Sequence, residues 1–174
     1  MQHTGHLASA PRTRSRQRCV AGAIVAGALL AAAESRADSC SVSAATHAFG
    51  AYDTINAKPG TSAITVTCTH TNSPAVRFNY SIALSIGPGS YAGRQMVGTG
   101  DTLVYNLYTS VAHTTVWGDG TSGSAVVAGS FNVPGGAGRS GSDVQTVFGL
   151  IGAPQNVLPG SYATASPITV TVTY

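Results

Sequence analysis

The sequence predicts an all-β fold, a sandwich of short antiparallel strands. Hydrophobic side chains alternate with polar ones at every second position, and turn signals rich in glycine and proline separate the alternating stretches. One pair of cysteines suited to a disulfide remains once the N-terminal segment is set aside. No convincing amphipathic helix occurs after residue 38. Short strands at this spacing are typical of a β-sandwich.

The N-terminal segment has the features of a cleaved signal peptide. Arginines without any acid occupy residues 1–18, a run of small and apolar residues covers 20–33, and Ser35 and Ala37 supply the small residues of a cleavage site. The apolar run is shorter than the roughly 20 residues that a membrane helix needs. We therefore expect a signal peptide over 1–37, an exported domain over 38–174 and no stable membrane anchor. The rival prediction, a lipid attached to Cys40, has a poor sequence context in residues 37–39.

Removal of this leader changes the charge of the protein. Five of the nine Lys and Arg residues lie in it, so the exported domain has four basic and five acidic residues, 4 − 5 = −1. The basic pI of about 8.9 therefore describes the precursor. No basic stripe remains in the domain, so nucleic acid is not an expected partner.

Cysteine usage agrees with export. Cys19 leaves with the leader, so Cys40 and Cys68 are the two cysteines of the exported domain. An even pair in an oxidising compartment predicts one disulfide, which would contribute roughly 3–4 kcal/mol to stability by closing its loop. Two cysteines without a CxxC spacing do not predict a metal site.

Three stretches show the clearest alternation of a half-buried strand. Their apolar faces hold Ile64, Val66 and Cys68 in the first, Val76, Phe78, Tyr80, Ile82, Leu84 and Ile86 in the second, and Ile168, Val170, Val172 and Tyr174 in the third. Weaker strand candidates cover 102–108, 125–133 and 143–151. Turn signals predict turns at 58–60, 87–89, 118–120 and 134–136.

Residues that could carry chemistry favour structural roles. His47, His70 and His113 lack the HxH or HExxH spacing of a metal site and are expected to be exposed or in turns. The glycine-rich run 135–141 lacks the Lys-Ser/Thr ending of a phosphate loop and predicts a flexible hairpin connection. Asp119 supplies one carboxylate where calcium needs 6–8 oxygen ligands, so a turn role is favoured.

The sequence therefore does not predict an enzyme, and no cofactor is expected. It contains no nucleophile elbow and no pair of carboxylates at an acid/base spacing. The remaining enzymatic alternative is a site assembled from scattered residues, such as His113 with Asp101 or Asp119.

Motifs along nearly the whole exported domain resemble the spore coat protein U domain. They are Cys40-Ser41-Val42-Ser43, Phe49-Gly50-Ala51-Tyr52-Asp53, Ile64-Thr65-Val66-Thr67-Cys68, Arg94-Gln95-Met96, Leu103-Val104-Tyr105-Asn106-Leu107-Tyr108, Val116-Trp117-Gly118-Asp119-Gly120-Thr121, Gly160-Ser161-Tyr162 and Thr169-Val170-Thr171-Val172-Thr173-Tyr174. Each motif is weak, but together, in the family order, they are specific. The family includes subunits of Csu-like archaic chaperone–usher pili, which serve surface attachment and biofilm formation.

The resemblance implies an immunoglobulin-like sandwich that lacks its final strand, which a chaperone or a neighbouring subunit supplies. The implied partners are a periplasmic pilus chaperone, an outer-membrane usher and other pilin subunits, and the implied location is the periplasm and then the cell surface. The residues expected at the edge that meets chaperone or donor strand are Gly160, Ile168, Val170, Val172 and Tyr174. An absent strand of about five inward side chains would leave roughly 8–15 kcal/mol of burial unrealised.

One departure from the family pattern concerns strand donation. A polymerising pilin needs its own donor segment, yet cleavage after Ala37 leaves only Asp38 and Ser39 before Cys40. We therefore expect a terminal or minor subunit that accepts a strand but does not donate one. The alternative from another class is a self-contained secreted β-sandwich that acts as a binding or coat protein.

Overall fold

The computed structural model describes residues 38–72, 74–98 and 100–174. The signal peptide predicted for 1–37 lies outside the described residues. Within the described part, the chain forms nine strands and no helix. In chain order the strands are β1 Ser39–Ala44, β2 Lys58–His70, β3 Val76–Leu84, β4 Gly89–Ser90, β5 Gly93–Val97, β6 Thr102–Tyr108, β7 Val127–Val133, β8 Arg139–Ile151 and β9 Val170–Thr173.

The strands form two antiparallel sheets. The larger has the order β1-β2-β8-β6-β5-β4, and the smaller has the order β7-β3-β9. The pairing of β2 with β8 forms the long centre of the larger sheet, running from Lys58 opposite Ile151 to His70 opposite Arg139. Apolar side chains from both sheets meet between them, so the predicted all-β sandwich is confirmed.

The clearest alternating stretches all form strands. The pattern at 64–68 lies within β2, the pattern at 76–86 forms β3, and the last pattern forms β9. Of the weaker candidates, 102–108 is β6 with the predicted bounds, while β7 begins at Val127 and β8 begins earlier than predicted, at Arg139.

The turn predicted at Lys58-Pro59-Gly60 is wrong, because these residues begin β2. The N–H and C=O of one strand residue point to one side of the strand and those of the next residue to the other. Ala63 accepts a hydrogen bond from Ala45 on the β1 side, so Pro59, four residues earlier, also faces that side. The β1–β2 pairing extends only as far as Ala44 opposite Ile64, and the missing N–H of Pro59 therefore breaks no β2–β8 bond.

The glycine-rich run 135–141 does not form the predicted hairpin connection. Its last three residues belong to β8, and it links β7 and β8, which lie in different sheets. A Cβ at Gly141 would lie only 3.0 Å from the Val133 side chain and 3.1 Å from Phe131. Glycine at this position lets β8 approach β7 closely where the chain crosses between the sheets.

The predicted disulfide joins Cys40 and Cys68, which lie directly opposite each other on β1 and β2. Because Cys40 is bonded to Cys68, it does not carry the lipid considered as a rival. Cys68 is fully buried and forms part of the core. The core residues, all at most 7% exposed, are Ile64, Val66, Cys68, Phe78, Tyr80, Ile82, Leu84, Leu103, Tyr105, Leu107, Trp117, Val133, Val147 and Ile151.

A buried polar cluster joins the two sheets beside this core. Arg94 of β5 is 0% exposed and donates to Asn106 Oδ1 at 2.6 Å, and to backbone carbonyls that include Trp117 O at 2.8 Å. Asn106 in turn donates to Tyr91 O at 2.6 Å. The Trp117 indole N–H donates to Ile82 O at 2.9 Å, which ties the long 109–126 connection to β3. The cluster thus holds the 109–126 connection against strands of both sheets.

Candidate functional site

One edge of the smaller sheet combines core-facing side chains with free backbone groups. Val170 and Val172 of β9 lie opposite Leu84 and Ile82 of β3, whose side chains are buried in the core. Nevertheless both valines are only half-buried. Ser85 N–H donates to Thr169 O, so the odd-numbered residues of β9 face β3. The N–H and C=O groups of Val170 and Val172 therefore point away from β3, toward an open edge.

Strand β1 presents the larger sheet's edge in the same way. Its Val42 lies opposite Val66, which is 0% exposed, but Val42 itself is 38% exposed. Ala45 N–H donates to Ala63 O, so the backbone groups of Val42 and its even-numbered neighbours point away from β2. Both edges thus carry inward apolar side chains and outward hydrogen-bonding groups, which is the arrangement an added strand would complete.

An elongated cleft, called here the β1–β9 cleft, begins where these two edges end, at Ala44 of β1 and Val170 of β9. Its narrow half has a volume of about 350 Å³ and lies between residues 44–49 and residues 164–170. Its wide half, of about 750 Å³, lies between residues 46–54 and residues 157–164. Thr46, His47, Phe49, Met96 and Thr164 line both halves, so the two form one continuous cleft. Its apolar floor includes Ile64, Leu84, Leu103, Tyr105, Leu107, Val147 and Ile151.

The first wall of the cleft packs on a pair of glycines. Gly60 and Gly149 are cross-strand partners on β2 and β8. A Cβ at Gly149 would come within 2.7 Å of the Phe49 ring and closer still to His47 Nε2, so the two rings lie directly on the glycine backbone. His47 and Phe49 meet edge to face, with centroids 4.7 Å apart. The absence of side chains at this glycine pair lets the chain after β1 cross over the larger sheet.

Burial determines the protonation of His47 in the first wall. His47 Nδ1 lies 2.8 Å from Ser62 Oγ, while His47 Nε2 is buried with no hydrogen-bond partner among the described residues. This burial lowers the pKa of His47 below its ordinary value of 6.5. The imidazole in this wall is therefore neutral at physiological pH.

The second wall is held in place by hydrogen bonds. Tyr162 lies against Gly98, where a Cβ would come within 2.6 Å of the ring, and its hydroxyl donates to Leu158 O at 2.7 Å. Leu158 N–H donates to Asp101 Oδ2 at 2.7 Å. Ala163 exchanges two backbone bonds with Val97, at 2.8 and 3.1 Å. These bonds hold the second wall at a fixed distance from the floor and so maintain the volume of the wide half.

The residues predicted for the chaperone or donor edge all lie along this cleft or at its end. Ile168 and Val170 line the narrow half, Gly160 lines the wide half, Val172 follows on the open edge of β9, and Tyr174, 59% exposed, comes just after that strand. Their roles in binding stay predictions. The opposite wall was not predicted, because residues 46–54 are irregular and have no hydrophobic period. The aromatic spacing of His47, Phe49 and Tyr52 was its only signal.

The histidines differ partly from expectation. His70 is buried, not exposed, because Nδ1 lies 2.8 Å from Asp38 Oδ1 and Nε2 lies 3.0 Å from Pro74 O at the end of β2. His47 is half-buried in the cleft wall, and only His113 is in a turn. Asp119 has the predicted turn role, since its Oδ1 accepts bonds from Thr121 N–H and Oγ1–H.

The scattered residues considered as an enzymatic site have separate structural partners. His113 packs edge to face on Tyr108, Asp101 accepts a bond from Leu158, and Asp119 holds its own turn. In the described residues, no three His, Cys, Asp or Glu side chains are grouped so that they could hold a metal ion.

The motifs quoted from the sequence meet in three dimensions. Arg94, Asn106 and Trp117, from three separate motifs, form the buried polar cluster. A family profile described as the Spore Coat Protein U domain matches residues 26–173. The chain belongs to the Spore Coat Protein U domain family. The resemblance drawn from the motifs is thereby confirmed, and the match begins inside the segment expected to be the leader.

No curated protein matches the chain. Among the described residues of this Spore Coat Protein U domain, no helix is long and apolar enough to cross a membrane.

Proposed function

We propose that the chain is a structural subunit of a chaperone–usher-type surface pilus, and that its β1–β9 cleft accepts an extended strand from a partner. Membership of the Spore Coat Protein U family supports this function. The single observation that carries it is the open edge of β9. Val170 and Val172 combine half-buried, core-facing side chains with outward backbone groups, and only a further strand satisfies both features at once.

The two edges define how the partner strand would bind. It lies between β9 and β1, takes hydrogen bonds from the outward backbone groups, and directs alternate side chains onto the apolar floor of the cleft. Backbone pairing supplies affinity without regard to sequence, while the side chains facing the floor supply specificity. The occupant is first a periplasmic chaperone and then a neighbouring pilin subunit delivered through an outer-membrane usher. The assembled fibre serves adhesion and biofilm formation.

A terminal or minor position in the fibre follows from the segment before β1. If the leader is cleaved after Ala37, two residues precede Cys40, too few to donate a strand. The mass of the protein recovered from the cell surface measures this cleavage point directly. A mature chain that retains about ten residues before Cys40 would instead allow an internal position, since a strand of that length spans roughly 33 Å.

Thermal unfolding with a strand-forming peptide tests the acceptor function. The probe is a synthetic peptide of alternating valine and threonine with lysines at both ends, mixed with the oxidised, exported chain. We expect a clear rise in the unfolding midpoint, because a ligand that binds only the folded state stabilises it. A control peptide with proline in place of each threonine lacks the N–H of every second residue and has φ fixed at about −65° there, so it should not pair as a strand and is expected to leave the midpoint unchanged.

Matched variants locate the binding to the open edge. Val170→Asn places a polar side chain on the inward face of β9, and Thr171→Asn makes the same change on the outward, exposed face. The first variant is expected to lose most of the peptide-induced rise and the second to keep it. Equal responses in both variants, or a high midpoint that ignores the peptide, would argue for a self-contained secreted sandwich.

A further inference from the structure

The two halves of the β1–β9 cleft differ in size and lining. The narrow half, about 350 Å³, has Ile168 and Val170 along one side, whereas the wide half, about 750 Å³, is bordered by the rings of Tyr52 and Tyr162. Phe49 lies at the junction and lines both. A strand of regular side chains would therefore fill the first half and leave space in the second.

The wide half cannot shrink to fit a small side chain, because both of its walls are tied down. Tyr162 is held by its bond to Leu158 and by its contact with Gly98. Across the cleft, the Tyr52 hydroxyl accepts a bond from Gln155 N–H at 3.0 Å and lies 3.1 Å from Gly152 O. Gln155 also bonds both backbone groups of Val104, with its side-chain oxygen at 2.8 Å and its nitrogen at 2.7 Å.

We infer that Tyr162, with Gly98 behind it, determines specificity by requiring a large aromatic side chain in the partner strand at the position that faces the wide half. The inference rests on the proposed acceptor function and states which partner strand the cleft selects. Space with an apolar floor and fixed walls is filled best by a large rigid side chain, and aromatic rings also gain from edge-to-face contact with their neighbours. At positions that face Ile168 and Val170, a ring would overfill the narrow half.

A phenylalanine scan tests this selection. The probe is the lysine-flanked valine–threonine peptide, about 11 residues long to match the 44–54 wall. One inward valine at a time is replaced by phenylalanine, and the dissociation constant for the exported chain is measured. We expect phenylalanine at the one position that faces Tyr162 to strengthen binding about tenfold or more, and phenylalanine over Ile168 to weaken it.

Variants of the wall connect the preference to Tyr162. Tyr162→Ala removes the ring, and the phenylalanine peptide should then have about the same dissociation constant as its valine parent. Tyr108→Ala is the matched control, since this half-buried tyrosine of β6 packs on His113 and lines neither half of the cleft. Gly98→Ala offers a second route if Tyr162→Ala fails to fold, because the added methyl displaces the same ring.

The outcomes separate the inference from the function on which it rests. If the peptides bind but phenylalanine is favoured nowhere, or is still favoured in both wall variants, the role of Tyr162 is refuted and the acceptor cleft stands. If no peptide of the series binds, the acceptor function is refuted, and the proposed selection of an aromatic side chain by Tyr162 is refuted as well.

Discussion

At the scale of single residues, Arg94 combines complete burial with several hydrogen bonds. It is 0% exposed and bonds to Asn106 and to the carbonyls of Ser85, Ile86 and Trp117, while its guanidinium lies 5.2 Å from the Tyr91 ring centroid. These partners include no carboxylate. Its burial is therefore tolerable only because the planar group meets several acceptors at once.

Replacement of Arg94 should be strongly destabilising. Arg94→Met leaves the buried acceptors without donors, and we expect a loss of about 3 kcal/mol in the free energy of unfolding, measured by urea denaturation. Arg77→Met is the matched control, since exposed Arg77 makes one side-chain bond, to Ser130 Oγ at 2.6 Å. Its effect should stay within about 0.5 kcal/mol. Similar losses in the two variants would contradict the role assigned to Arg94.

His47 should make stability depend on pH. Burial lowers its folded pKa, whereas in the unfolded chain it takes up a proton near its ordinary value of 6.5. As pH falls below about 6.5, the unfolded state binds more protons than the folded state, so stability decreases. His47→Gln removes this titration, and its unfolding free energy should fall less than that of the wild type between pH 7.5 and pH 5.5.

The control for this pH dependence is His113→Gln, which changes a turn histidine that packs on Tyr108 and lines neither half of the cleft. It should keep the wild-type slope of stability against pH. A His47→Gln slope equal to that of the wild type would show that other groups carry the pH dependence.

At the scale of elements, the alternation of apolar and polar residues in the sequence predicted the strands that have one apolar face. The alternation of Val76–Leu84 and of Val170–Thr173 gave both strands because one face of each is apolar. Strand β2 extends back through Pro59 because the side of the strand that lacks an N–H meets no partner there. Whether Pro59 has a neighbouring strand on that side depends on where β1 ends, and the sequence around Pro59 does not indicate this.

The first cleft wall escaped prediction for the same physical reason, and of the second wall only Gly160 was expected at the binding edge. Residues 46–54 and 157–164 are irregular, and they are positioned by contacts with distant residues such as Gly60, Gly98 and Gly149. A glycine that receives an aromatic ring looks, in sequence, like a glycine in any turn. The open edge, in contrast, could be predicted through the resemblance, because the last strand has a core pattern.

Gly149 should be essential to the first wall. Gly149→Ala places a methyl group on the His47 and Phe49 rings, and these rings must move because the obstacle on the other side is strand backbone. We expect a loss of about 1–3 kcal/mol in urea denaturation and weaker binding of the strand peptide. Gly152→Ala, three residues later, meets nothing within 4 Å and should cause neither change. A folded Gly149→Ala variant with unchanged binding would rule out a fixed wall.

At the scale of the whole molecule, the sandwich is closed on one side and open on the other. The β7 and β8 strands approach at Gly141, whereas β1 and β9 each present outward backbone groups with inward apolar side chains. The disulfide ties β1 to β2 beside this opening, so β1 keeps its register although its other edge has no partner among the described residues. Under the proposed function, the stability of the domain rises when a partner strand binds, because a ligand that binds only the folded state stabilises it.

A strand fused to the domain itself should therefore replace the partner. A short Asn-Gly turn and an alternating valine–threonine strand appended after Tyr174 would fold back antiparallel beside β9 and enter the β1–β9 cleft. We expect a monomer whose unfolding free energy rises by roughly 3 kcal/mol or more, the burial of one or two large apolar side chains. The same fusion with proline in place of each threonine should give no gain, because proline fixes φ at about −65°, lacks an N–H and so interrupts strand pairing. If both fusions unfold at the urea midpoint of the unmodified chain, the sandwich gains nothing from an added strand and the proposed acceptor function fails.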